Sequence, residues 1–330
     1  MPSVAKILVH PSQSPENLRR QRRQALERRQ INHKFHYDSP EQAEKWLALH
    51  QAYSPCRTDS DCAAVYDRAF AAAAARLTSL RLHLIGLGCG AGQKDLRLLR
   101  LLQPAIPTAQ SAIHYTPCDV SASLVLTACQ AAAQAIPEAN CHPVVCDLAE
   151  ADDLPQLLAA QAEPTARRLL AFFGMLPNFE PALILPRLAA LMNPADLLLL
   201  SANLAPGPDY AAGLRRILPL YDNALTRDWL LTFLFDLGMA PADGELRFAI
   251  EDAAGLKRIT ADFYFKRART LEVDDAAFAF QAGDKIRLFF SYRHTPRLVR
   301  DLLKKYNLKV LDQWIASSEE EGVFLITNCE

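Results

Sequence analysis

Short apolar runs alternate with segments of helical apolar spacing along the first two thirds of the chain. The mostly apolar run from Leu82 to Ile85 predicts a buried strand, and apolar positions at helical spacing predict a helix from Asp95 to Leu102. The same alternation continues downstream, with further strands predicted at 112–119, 142–147, 169–174 and 197–201. Strands that alternate with helices are typical of an α/β fold with a doubly wound parallel sheet.

The pattern changes after residue 203. A long helical stretch at 210–238 is followed by segments typical of strands, at 246–251, 256–265, 271–273 and 286–292. A helix at 296–306 and two strands at 309–316 and 323–327 then predict a return to the first sheet. We therefore expect a first domain of residues 60–204 and 298–330. Residues 205–297 would form an α+β unit inserted late in the chain.

Composition narrows the class of protein. The 330 residues carry a net charge of −1, which gives no global indication of nucleic acid or an anionic membrane as partner. The apolar runs are too short to span a bilayer, and the start lacks a secretory signal pattern, so we expect a cytoplasmic protein. Eight cysteines without CxxC pairs indicate reduced thiols and no zinc site. Six arginines between residues 19 and 29 fit a solvated helix face, or alternatively a contact with an anionic partner.

Candidate chemistry begins at the turn after the first strand. Glycines at 86, 88, 90 and 92 allow positive φ angles and close approach of a ligand to the backbone. Asp119 and Asp147 end the next two predicted strands. A carboxylate at the tip of the second strand of a nucleoside-binding sheet accepts hydrogen bonds from ribose hydroxyls. The alternative for Asp119 is a cap of the following helix.

In their order along the chain, these features resemble the histidine Nα-methyltransferases of ergothioneine biosynthesis, the EgtD-like family, which depends on S-adenosylmethionine (SAM). A fungal branch of this family methylates the amine of dimethylallyltryptophan. The resemblance runs from Lys34-Phe-His-Tyr-Asp to the C-terminal hairpin. It includes Leu87-Gly-Cys-Gly with Lys94, Pro117-Cys-Asp-Val, Cys146-Asp147, Asn178-Phe-Glu-Pro, Tyr221-Asp and Ile286-Arg-x-x-x-Ser291.

The resemblance implies a Rossmann-like class I SAM-dependent methyltransferase sheet, with S-adenosylhomocysteine (SAH) as the product. It also implies that the N-terminal segment 1–59 completes a second, substrate-binding domain with residues 205–297. The residues implied to bind the cofactor are Gly88 and Gly90 under its methionine part, Lys94 at its carboxylate, Asp119 at the ribose and Asp147 at the adenine. The residues implied to act on the substrate are Asn178 and Tyr221 at its carboxylate, Tyr37 and Tyr53 near its amine, and Ser291 in the side-chain pocket. No metal is implied.

Two departures from the family concern the substrate. Histidine-specific members place a glutamate against the imidazole where this chain has Phe289, and a methionine of the same pocket is replaced by Ala261. Loss of a charge-assisted hydrogen bond removes about 1.5–3 kcal/mol, or about one to two decades of affinity. We therefore expect a larger or more apolar substrate side chain than that of histidine. Two further departures are a shortened loop before Asn178 and Gly86 in place of the acid that commonly opens the glycine motif.

The sequence thus predicts a SAM-dependent methyltransferase that acts on the α-amino group of an amino acid or a small molecule derived from one. The alternatives are a histidine Nα-methyltransferase, which would form hercynine, and a SAM-binding protein without turnover. An NAD-linked dehydrogenase fits poorly, because the C-terminal strand pair and the acid at Asp147 are features of the methyltransferase fold. The oligomeric state is not predicted.

Overall fold

The computed structural model describes residues 6–77, 81–103, 113–161 and 166–329. Contacts between residues divide the chain into two compact units. The first, here called the sheet unit, comprises residues 1–13, 55–204 and 294–330. The second, here called the α+β unit, comprises residues 14–54 and 205–293. Within the described ranges, no helix is long and apolar enough to cross a membrane.

An eight-stranded sheet organises the sheet unit. Its strands are β1 (Leu8–Val9), β2 (Leu82–Leu87), β3 (Ile113–Asp119), β4 (Val144–Val145), β5 (Arg167–Phe172), β6 (Leu197–Asn203), β12 (Leu308–Ile315) and β13 (Glu321–Asn328). Its helices are α3 (Pro55–Thr58), α4 (Ser60–Arg76), α5 (Gln93–Leu102), α6 (Ala122–Ala132), α7 (Leu154–Gln161), α8 (Pro181–Leu191) and α11 (Pro296–Lys305).

The strand order is β1-β4-β3-β2-β5-β6-β13-β12. The first six strands of that order pair in parallel, and β13 pairs antiparallel with both β6 and β12. Side chains of one strand alternate between two apolar cores, as Leu84 belongs to one and Ile85 to the other. The structure therefore confirms the predicted doubly wound α/β sheet with a C-terminal antiparallel strand pair.

The α+β unit contains two small antiparallel sheets. Its strands are β7 (Gly244–Ala253), β8 (Leu256–Phe265), β9 (Arg269–Val273), β10 (Ala276–Phe280) and β11 (Lys285–Arg293). Its helices are α1 (Pro15–Glu27), α2 (Pro40–Tyr53), α9 (Tyr210–Tyr221) and α10 (Ala224–Asp236). The three-stranded sheet has the order β11-β8-β7, and β9 pairs with β10. Apolar residues of both sheets and of the N-terminal segment form one core, which includes Leu26, Phe35 and Phe289.

Three details differ from the sequence predictions. Residues 1–13, 55–59 and 294–297, which the predicted division placed in the second domain, group with the sheet unit, and β1 pairs there in parallel with β4. The helical stretch predicted at 210–238 is two helices, since Asn223 caps α10 by accepting a hydrogen bond from the Thr226 amide at 2.9 Å. Strand β10 was not predicted, and residue 112 of the predicted second strand lies outside the described residues.

Candidate active site

The glycine loop joins β2 to α5 and is attached to the end of the neighbouring strand. Gly88, Gly90 and Gly92 have φ angles of 68°, 52° and 70°, a region that glycine enters without strain. The amides of Gly88 and Cys89 donate to the Cys118 carbonyl at 2.8 and 3.0 Å. A Cβ on Gly88 would also collide with the Met175 side chain. The loop therefore has a fixed course at the carboxyl end of the parallel strands, where ligands bind in such sheets.

Asp119 ends β3 beside this loop, and it is 8% exposed. Its Oδ2 accepts from the Gly90 amide and its Oδ1 from the Ser121 amide, both at 3.0 Å. Burial raises the pKa of the carboxyl, and these backbone N–H groups oppose the rise because they stabilise the charged form. Each carboxylate oxygen has a second lone pair, so Asp119 has the capacity to accept ribose hydroxyls while it supports the loop and the start of α6.

Lys94 lies in the first turn of α5, and its ammonium is held by two residues that the sequence analysis missed. Its Nζ donates to the Tyr66 hydroxyl at 2.7 Å and lies 3.7 Å from Glu321 Oε1. Tyr66 in turn donates to Glu321, and both residues are buried. An ammonium at the N-terminus of a helix after a glycine loop suits an anionic group such as the carboxylate of a cofactor.

Asp95 occupies the space beside Gly86, where the family resemblance implies an acidic side chain. A Cβ on Gly86 would overlap with the Asp95 carboxylate, which accepts a hydrogen bond from the Tyr115 hydroxyl at 2.6 Å. Asp95 is 3% exposed, and burial raises its pKa from 3.8 to about 6, against the opposing effects of Tyr115 and Lys94. The Asp95 carboxylate thus lies beside Gly86, the position at which the resemblance implies an acid.

Asp95 predicts a pH dependence of stability. Its pKa in the folded state lies above its ordinary value, so the stability it contributes is present below pH 4 and is lost as the pH rises through about 6. A shift from 3.8 to about 6 corresponds to about 3 kcal/mol. In Asp95→Asn, we expect the gain in unfolding free energy over the wild type to grow from pH 4 to pH 7 by up to that amount. Denaturant unfolding across this range measures it.

The exposed Asp301 of α11 provides the control for this prediction, since its side chain is 63% exposed. Asp301→Asn should shift the unfolding free energy equally at pH 4 and pH 7. An Asp95→Asn difference that is equally flat would contradict the assignment of a buried, charged carboxylate at this position.

Asp147 and Asn178 complete the predicted site residues of the sheet unit. Asp147 follows β4 and is 3% exposed, and its amide donates to Ser12 Oγ at 3.0 Å. Its Oδ1 accepts from the Ala149 amide at 2.9 Å. Asn178 ends a 3-10 turn, Leu176–Asn178, that follows β5, and it is half-buried. Ser12, which the sequence offered no reason to select, thus accepts a hydrogen bond just after the end of β4, although it lies 135 positions before Asp147 in the chain.

In the α+β unit, three predicted substrate residues lie together. The hydroxyls of Tyr221 and Ser291 are 2.9 Å apart, and the rings of Tyr221 and Phe289 have centroids separated by 6.2 Å. Phe289 also packs edge-on against Trp229 at 5.9 Å. Because Phe289 and Ser291 are two positions apart on β11, their side chains point to the same face of the strand.

The predicted tyrosines of the N-terminal segment have different surroundings. Tyr37 packs between Trp46 and Trp229, with ring centroids 5.6 and 5.5 Å away. Tyr53, at the end of α2, is 53% exposed. Tyr37 is therefore part of the aromatic cluster that contains Phe289, whereas the contacts of Tyr53 do not link it to that cluster.

The sheet order, the glycine loop and the acids at or just after the ends of β3 and β4 fit a SAM-dependent methyltransferase of class I. The model of the family described as "Histidine-specific methyltransferase, SAM-dependent" matches residues 18–214, more than half of the chain. The chain belongs to this family. The matched range includes Gly88, Asp119 and Asn178, and it ends before Tyr221 and Phe289.

Among solved structures, the chain is similar to other methyltransferases at low identity. The magnesium protoporphyrin IX methyltransferase of Synechocystis PCC 6803, solved with SAH, is 13% identical over 89% of this chain and 97% of that chain (TM-score 0.48). The 1,6-didemethyltoxoflavin-N1-methyltransferase of Burkholderia thailandensis is 13% identical over 88% of this chain and 91% of that chain (TM-score 0.44). A comparison with curated protein sequences found no match.

The residues of the sheet unit at this turn fit SAM as a ligand. The glycine loop has backbone at positive φ, and the buried carboxylate of Asp119 lies at the end of β3. The ammonium of Lys94 lies in the first turn of α5. Bound SAM supplies a methyl group on a positively charged sulfur. Among the described residues, no group of three or more His, Cys, Asp or Glu side chains could hold a metal ion.

Proposed function

We propose that this methyltransferase acts on the α-amino group of an amino acid, or of a small molecule derived from one, whose side chain is apolar rather than an imidazole. In this proposal Gly88, Gly90, Lys94, Asp119 and Asp147 bind the cofactor. The residues that bind the substrate are Asn178, Tyr221, Phe289 and Ser291, and those that orient its amine are Tyr37 and Tyr53. The observation that carries the proposed specificity is the environment of Phe289.

Phe289 is 7% exposed and is surrounded by rings. Its centroid lies 5.0 Å from that of His33, 5.9 Å from that of Trp229 and 6.2 Å from that of Tyr221. Across the sheet, Phe289 pairs with Ala261, which on its other side pairs with Phe248. In this proposal the small side chain of Ala261, between two phenylalanines, lets the pocket take a larger ligand than a methionine would, and the phenyl rings favour an apolar one.

The two histidines of this aromatic cluster add no negative charge and are neutral at pH 7. Burial is the main cause that lowers the pKa of His33 to about 3 and that of His36 to about 4. His36 lies 2.7 Å from the Leu288 carbonyl through Nε2, and its own carbonyl accepts from the Trp229 indole at 2.8 Å. An imidazole substrate would thus meet neutral rings here and would gain no charge-assisted hydrogen bond from His33, His36 or Phe289.

Methyl transfer requires the amine to be neutral. The terminal α-amino group of a peptide has a pKa of about 8. That of a free amino acid is higher because of the adjacent carboxylate, so only a small fraction of the substrate is the neutral nucleophile at pH 7. The larger contribution is orientation, which is available when both ends of a small substrate are held. Tyr221 and Asn178 are proposed to hold the carboxylate end. Tyr37, which packs between two tryptophans, is proposed to orient the amine.

A substrate panel tests the proposed function. Histidine, tryptophan, tyrosine and leucine would be incubated with SAM and the wild-type protein, and N-methylated products measured by mass spectrometry. We expect kcat/KM for the best aromatic or aliphatic amino acid to exceed that for histidine at least about tenfold, in line with loss of one charge-assisted hydrogen bond. Histidine as the best substrate would contradict the proposed specificity. Tight SAM binding without product from any amine would contradict catalysis itself.

A further inference from the structure

Arg293 is a residue of the α+β unit to which neither the sequence motifs nor the family match assigns a role. It is the last residue of β11, two positions after Ser291 and four after Phe289. Alternation along a strand therefore places its side chain on the same face as these two proposed substrate residues. It is 8% exposed.

The guanidinium of Arg293 contacts Tyr221 directly. Its Nη2 and Nε donate to the Tyr221 hydroxyl oxygen at 3.0 and 3.3 Å. An arginine has only donors, so the phenol oxygen acts as acceptor in both contacts, and its own proton must point elsewhere. The Ser291 hydroxyl, 2.9 Å away, is the neighbour that can accept this proton. Ser291 can then direct its own proton towards a ligand.

The position of Arg293 is fixed by the helix that carries Tyr221. Tyr210 and Tyr221 are the first and last residues of α9. The Tyr210 hydroxyl donates to the Arg293 carbonyl at 2.5 Å and accepts from the Lys257 amide at 2.9 Å. Backbone and side chain of Arg293 thus contact opposite ends of one helix, which holds the guanidinium against the Tyr221 oxygen.

We propose that Arg293 is a positioning residue for the substrate carboxylate. It directs the Tyr221 proton to Ser291, which leaves the Ser291 proton for the ligand, and it adds a positive charge beside both hydroxyls. The three side chains together would then form a subsite for a carboxylate. This inference rests on the proposed function, because it assumes that the molecule bound next to Phe289 carries a carboxylate.

The test compares ligands with and without a carboxylate on Arg293→Met, Arg293→Lys and the wild type. The ligands are tryptophan, its decarboxylated amine tryptamine and its deaminated acid indole-3-propionate, each titrated calorimetrically with SAH present. Turnover of tryptophan and tryptamine would be measured in parallel. Arg247→Met is the matched control, because Arg247 also lies over a tyrosine ring of this unit, 4.8 Å from Tyr264, yet its side chain is 58% exposed.

We expect Arg293→Met to lower the affinity for indole-3-propionate at least tenfold and to raise KM for tryptophan by a similar factor. The affinities for tryptamine and SAH and the melting temperature should change little. Arg293→Lys should recover part of the lost affinity for the acid. Equal effects on acid and amine, or a wild type that binds no carboxylate, would overturn the inference. If no amino acid is methylated but indole-3-propionate still depends on Arg293, the proposed function fails and the carboxylate subsite stands.

Discussion

Phe289→Glu is expected to reverse the amino-acid preference of the enzyme. A carboxylate at this position would restore a charge-assisted hydrogen bond to an imidazole N–H, worth about 1.5–3 kcal/mol, or about 10- to 100-fold in kcat/KM for histidine. The same change places a charge where an apolar side chain would bind, which should cost the best apolar substrate about tenfold or more. The ratio of the two kcat/KM values should therefore move by about two to three orders of magnitude.

Phe289→Gln is the matched control, because it has nearly the size of the glutamate variant and no charge. It should lose apolar turnover and gain little with histidine. A control that gained as much histidine activity as Phe289→Glu would show that space, rather than charge, limits the wild type. SAH affinity should stay unchanged in both variants, and a large loss there would mean that the substitutions disturb the fold rather than the substrate pocket.

The positions of the proposed cofactor residues in the fold could be predicted from sequence because their signals are local. Gly88 and Gly90 lie in the turn after a strand, Asp119 ends a strand and Asp147 lies two residues after one, so the order of elements brings them to one edge of a parallel sheet. The observed hydrogen bond from the Gly90 amide to Asp119 is a direct consequence of that order. The sheet itself was predictable for the same reason, since buried strands and amphipathic helices have distinct apolar periods.

The partners of these residues could not be predicted, because they come from distant parts of the chain. Tyr66 and Glu321 meet around Lys94 although they are 255 positions apart, and a lone tyrosine or glutamate has no local pattern that marks it. Arg293 follows Phe289 and Ser291 at the same spacing of two residues, but the strand predicted at 286–292 ends one residue before it. Its contact with Tyr221, however, depends on how α9 packs on the sheet of the α+β unit.

Asp119→Ala is expected to lower the affinity for SAH by at least about a hundredfold. A carboxylate that accepts two ribose hydroxyls contributes about 1.5–3 kcal/mol for each hydrogen bond to the charged group. The variant also removes the acceptors of the Gly90 and Ser121 amides, which would loosen the glycine loop. Isothermal titration with SAH measures the total loss, with thermal unfolding as a check that the variant folds.

The two contributions of Asp119 can be separated with a ligand that lacks the hydroxyls. If Asp119 binds ribose, Asp119→Ala should lower the affinity for SAH far more than that for 2′,3′-dideoxy-SAH, because the second ligand has no hydroxyls to bond to the carboxylate. Asp147→Ala is the comparison, since Asp147 is proposed to face the adenine and should weaken both ligands equally. Equal losses for Asp119→Ala would mean that its carboxylate only fixes the glycine loop and the residue before α6, through its hydrogen bonds from the Gly90 and Ser121 amides.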